Sequence, residues 1–146
     1  MTTTISHYAR TAEAHRVQAM YAESVHEQMH WDAEAHRFAQ LAEIETVDPA
    51  AARAAYRPTR AYDPDMPIVQ HHGEGIRIVT AAHGDQTFNA DRLETAWLLR
   101  LDMSTRDVTR ELAYVLRSEH AYLDAISYAI AADALVRAGI DPSTEQ

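Results

Sequence analysis

Between Ile5 and Thr46 the chain contains neither Pro nor Gly. The stretch is rich in Ala, Glu and Arg, all good helix formers. The spacing predicts one long helix over about 5–46. At about 100° per residue, a stripe runs from Ile5 through Tyr8, Ala12, His15, Ala19, Ala22, His26 and Met29 to Ala33. Its three-then-four spacing is that of a coiled-coil seam. Met20, Trp31 and Phe38 form a second apolar stripe, so the helix is expected to make contact on two sides. A helix of this length spans roughly 60 Å, more than a compact domain of this size needs, which points to oligomerisation.

Local punctuation divides the remainder of the chain. Residues 47–67 read as a linker. Within it Asp48 is placed to cap a short helix over 50–56, with Pro49 at its first turn, and Pro58, Pro64 and Pro67 keep the other residues extended. Residues 68–80 read as a β-hairpin, from their β-branched content and the Gly73-Glu74-Gly75 turn, with His83-Gly84-Asp85 as a further turn. A helix over about 91–101 has Asn89 or Asp91 as its cap. A second, over about 104–138, has Ser104 as its cap, Asp107 three residues on and Gly139 as its stop. The fold class expected is mainly α: long antiparallel helices with one small β-hairpin in a single helical domain, 1–146.

Composition narrows the function classes. The net charge is −9 and the pI about 5.4, which argues against a broad electrostatic grip on phosphate backbones. Every basic residue is Arg. There is no Cys, so disulfides and thiolate metal sites are excluded. No apolar run approaches a membrane span, and Met1-Thr2-Thr3-Thr4 lacks a basic-then-apolar signal pattern. The expected location is cytoplasmic or within an assembled particle, without membrane association.

Nine His are many for this length, and two of them carry a pattern. His26-Glu27-Gln28-Met29-His30 fits H-E-x-x-H, where two imidazoles one turn apart face one zinc ion and the Glu polarises a metal-bound water. This resembles zinc-dependent peptidases of the zincin group, and the resemblance implies His26 and His30 as metal ligands with Glu27 as the catalytic base. His36 stands where the metzincin pattern places its third His, but Ala33 replaces that pattern's Gly. A continued helix would leave His36 about 120° from His30. Glu23-x-x-His26 and Glu27-x-x-His30 also look like the E-x-x-H element of di-iron carboxylate bundles, which adds Glu23 to the candidate ligands and iron to zinc as the implied metal.

Leu98 to Leu112 carries a second pattern. Leu101, Asp102, Met103, Ser104, Val108, Arg110 and Leu112 occupy the places of the apolar, turn, cap and core residues of a helix-turn-helix. The segment resembles that of DNA-binding regulators, which implies that Thr105, Arg106, Thr109 and Arg110 face a major groove.

Neither pattern accounts for most of the residues. Two long helices with apolar seams do so without a special site, and acidic charge keeps such a molecule in solution. The leading expectation is a non-catalytic structural or partner-binding protein, oligomeric, with a protein or itself as partner and no cofactor. The DNA-binding regulator and the zinc or di-metal site are the alternatives.

Overall fold

The computed structural model describes residues 6–116 and 120–144. The protein is mainly α-helical with a small antiparallel sheet, and it packs as two compact units, residues 1–63 and 64–146.

In the first unit the expected single helix over 5–46 is two helices, α1 (His7–Met20) and α2 (Val25–Val47); Ile5 lies outside the described residues. The break is chemically specified. Ser24 adopts extended backbone and its hydroxyl accepts the Glu27 N–H at 3.1 Å, while the Glu27 carboxylate accepts the Glu23 N–H at 3.4 Å. Ser24 is thus the N-cap of α2 and satisfies the Glu27 N–H, one of those every helix start leaves without partners, while the Glu27 carboxylate reaches back past the cap to residue 23.

α1 folds back antiparallel on α2. The stripe expected on α1 is the buried one, with Ala12, His15 and Ala19 inside. On α2 the seam shifts to Glu34, Ala35, Phe38 and Leu41, and Ala33 is exposed. Ala12, Phe38 and Leu41 form the unit's apolar cluster, flanked by Tyr8 and Ala39. Phe38 alone contributes about 2–3 kcal/mol on burial. Of the second expected stripe only Phe38 is buried; Met20, beside the turn, is 75 % exposed.

Asp48 ends α2 and caps α3 (Pro49–Ala55), with Pro49 in its first turn, as the sequence predicts. Beyond α3 the chain is extended.

The second unit opens with β1 (Ile68–His72) and β2 (Gly75–Thr80), the expected hairpin. Gly73, at φ +59°, takes the left-handed conformation its turn requires. A third strand, β3 (Gly84–Asn89), extends the sheet to the order β1-β2-β3, and the segment expected to be only a turn leads into it. Arg77 on β2 grips Asp85 with two hydrogen bonds of 2.8 and 2.7 Å.

Three helices complete the unit. α4 (Ala90–Asp102) is capped by the Asn89 side chain. α5 (Thr105–Leu116) starts at Ser104, whose hydroxyl accepts the Asp107 N–H. α6 (Ala121–Ala138) ends at Gly139 in the left-handed conformation. The single helix expected over 104–138 is therefore two, α5 and α6, packed side by side; residues 117–119 between them lie outside the described residues.

One cluster joins the sheet to α4 and the C-terminal half of α6 through Val69, Ile76, Ile78, Phe88, Leu93 and Leu135. A second joins the three helices through Ala96, Val108, Leu112, Ala125, Ala129 and Ala132. The Ala on α6 let α4 and α5 approach closely. Asp133 receives Arg100 and Arg137, each at 3.0 Å. His71 sits on the core-facing side of β1, and its Nε2 is buried without a hydrogen-bond partner among the described residues.

Candidate functional site

The histidine pattern lies at the start of α2, and the helix start explains Glu27. Its carboxylate lies in the first turn, where the helix dipole favours negative charge, and accepts the N–H of Glu23 just before the cap.

The two histidines face the extended chain beyond α3. His26 is buried, 2 % exposed, and its Nδ1 lies 2.7 Å from the Tyr62 hydroxyl in a hydrogen bond. His30 Nε2 donates to the Arg60 carbonyl at 2.9 Å. A carbonyl only accepts, so that nitrogen carries the proton and cannot offer a lone pair to a metal while the bond stands. The Tyr62 ring packs against both imidazoles at 5.4 and 5.5 Å.

The same strip of α2 continues this pattern. The Glu34 carboxylate accepts the Arg60 N–H at 2.7 Å on one oxygen and Arg37 Nε at 2.7 Å on the other. The Arg37 guanidinium donates to the carbonyls of Arg57 and Pro58 at 2.8 and 3.0 Å, and lies 4.5 Å over the Phe38 ring. From α1, His15 donates through Nδ1 to the Gln18 amide oxygen. Its Nε2, the acceptor in a neutral ring, takes the Thr59 hydroxyl at 2.9 Å. Trp31 stacks on His15 at 5.2 Å.

Residues 57–62 thus form a strap held across α1 and α2 by side chains spaced three and four apart: His26, His30, Glu34 and Arg37. Burial raises the affinity of the Glu34 carboxyl for its proton. The Arg37 hydrogen bond, the Arg60 N–H, and the positive charges of Arg37 and His30 outweigh it, and the net shift is below the usual carboxylate range. Glu34 therefore sits in the fold as a buried anion.

Glu23 is exposed at the turn, and His36 is exposed on a helix that continues past Ala33 without a bend. Among the described residues no group of three or more His, Asp and Glu side chains is arranged to hold a metal ion. Glu34 and Arg37, the residues on which the arrangement centres, carry no motif. Their i, i+3 spacing below two histidines was the available signal, but it needed the strap to give it meaning.

The second pattern lies on α4, the turn at Met103 and Ser104, and α5. Val108 and Leu112 are buried, as a helix-turn-helix core requires. Of the four side chains expected to face outward, Arg106 and Arg110 are exposed and Thr105 is half-buried. Thr109 is buried and its hydroxyl donates to the Thr105 carbonyl, so it is turned away from any groove.

A cleft of about 440 Å³ lies between β3, the start of α4 and α6. Its charged side chains, Arg92 and Asp124, are both exposed, so it offers no desolvated group for chemistry. No helix is long and apolar enough to cross a membrane among the described residues. No family model, curated protein or solved structure matches this chain.

Proposed function

We propose that this chain is a non-catalytic helical protein that works by binding protein partners, copies of itself first among them. One contrast carries the reading: the side chains suited to chemistry hold the chain's own strap, while large apolar side chains stand in solvent. Leu98 and Leu101 on α4 are 51 % and 53 % exposed, and Tyr122 and Leu123 at the start of α6 are 62 % and 63 %. Leu98 with Leu101, one turn apart on α4, and the adjacent Tyr122 and Leu123 on α6 each set a pair of large apolar side chains on the surface, a feature protein interfaces use.

Light scattering across a concentration series tests it. The expected mass is a multiple of the 16.4 kDa chain. Leu98→Ser combined with Leu101→Ser and Leu123→Ser is expected to shift the distribution toward the single chain. A strict monomer at every concentration would remove self-association from the proposal.

A second reading, DNA binding, is favoured by one observation: α4 and α5 are joined by a two-residue turn with Ser104 as cap, and Arg106 and Arg110 project from one exposed face of α5. Duplex binding that steepens as salt falls, and that Arg106→Ala with Arg110→Ala abolishes, would promote it. Binding indifferent to both changes would remove it.

A further inference from the structure

The strap is held in the manner of a bound peptide. Residues 57–61 are exposed, so they bury little apolar surface. Their hold comes from hydrogen bonds to main-chain groups in a fixed order: Arg37 on two successive carbonyls, then Glu34 and His30 on the N–H and the carbonyl of residue 60. Two side chains are read as well, Thr59 by His15 and Tyr62 by His26. Backbone groups supplying the hold and alternate side chains supplying selectivity is the usual division in recognition of extended peptides. Pro58 fixes its own φ and pushes Arg57 toward extended backbone, so the segment enters its bound shape at low entropic cost.

We propose that the face formed by His15, His26, His30, Glu34 and Arg37 is a recognition groove for an extended peptide of the pattern Arg-Pro-Thr-Arg-x-Tyr, presented by a partner protein, and that residues 57–62 are its built-in competitor. This rests on the partner-binding reading above and gives it a site separate from the exposed apolar side chains of α4 and α6. Each of these hydrogen bonds is exchanged for one to water or to an incoming peptide when the strap lifts, so the strap is displaceable. Tethering gives it an effective concentration on the order of millimolar, which masks the groove from weaker or dilute ligands.

The test uses the full chain and a fluorescent peptide, Arg-Pro-Thr-Arg-Ala-Tyr, followed by anisotropy. Thr59→Ala with Tyr62→Ala weakens the competitor while leaving every residue of the helices in place. This variant is expected to bind the peptide at least about tenfold more tightly than the unaltered chain. Adding Glu34→Gln and Arg37→Ala is expected to abolish the gain. A second variant, with residues 57–62 replaced by a Gly-Ser stretch of equal length, should bind tighter still, with circular dichroism confirming its helix content. Equal, negligible binding by the unaltered chain and the Thr59/Tyr62 variant overturns the proposal, even if the Gly-Ser variant does not fold. Dimers of the Thr59/Tyr62 variant that free peptide dissolves would also overturn it, in favour of strap exchange between copies. Loss of the groove while light scattering still shows self-association through Leu98, Leu101 and Leu123 would leave the broader reading standing.

Discussion

Glu34 is the residue whose chemistry is most altered by folding. It is 4 % exposed, yet it is held charged by Arg37 and the Arg60 N–H. Its folded pKa lies below its unfolded value, so it contributes stability that is fully present above the unfolded value and is lost as pH falls through the folded pKa. Glu34→Gln is expected to lower stability at pH 7 by about 2 kcal/mol, the scale of a hydrogen bond to a charged group. The difference between the two proteins should shrink on acidification. Urea unfolding at pH 7 and at pH 3.5 checks both statements; a constant difference would show that the carboxylate is not the anchor. His71 illustrates the opposite case, a buried ring nitrogen on β1 with no partner among the described residues, a condition that costs about 1–3 kcal/mol.

At the scale of elements, caps decided the boundaries. Asp48 with Pro49, Asn89, Ser104 and Gly139 all act where the sequence places them, because a cap is made by residues within three or four positions of each other. Ser24 and Glu27 are as local, but the helical stripe runs through them in phase and no Gly or Pro interrupts it. Glu27 also fits a catalytic pattern, which competes with its reading as a first-turn acid. Ser24→Ala is expected to cost about 1 kcal/mol in denaturant unfolding, and no measurable loss would show that the hydroxyl does not hold the start of α2. Strand β3 was hidden for another reason. Asp85 and Asn89 are poor strand formers, and only Phe88 of its core-facing residues is a large apolar one. Pairing with β2, aided by the Arg77–Asp85 grip, makes it a strand.

At the scale of the molecule, two compact units each carry their own apolar clusters and one tryptophan each: Trp31 in the first, Trp97 in the second. Each unit can therefore be followed by its own fluorescence. Phe38→Ala is expected to cost about 3–5 kcal/mol, read as an earlier unfolding transition of Trp31 fluorescence in a Trp97→Phe background. Leu135→Ala is expected to cost about 2–5 kcal/mol, read from Trp97 in a Trp31→Phe background. A Phe38→Ala transition unmoved in Trp31 would mean that the small cluster of Ala12, Phe38 and Leu41 does not hold α1 on α2.

By itself the sequence determined the helical class, the hairpin over 68–80 and the caps at Asp48, Ser104 and Gly139, since each arises from propensity and from contacts between near neighbours in the chain. Only the tertiary structure decided that the first stretch folds back at Ser24, that the last one divides into α5 and α6, and that His26 and His30 hold a strap. The reason is one of energy: a few frayed helical residues cost little against the packing gained when α1 closes on α2. An imidazole's role likewise depends on which distant backbone group is brought within 3 Å of it.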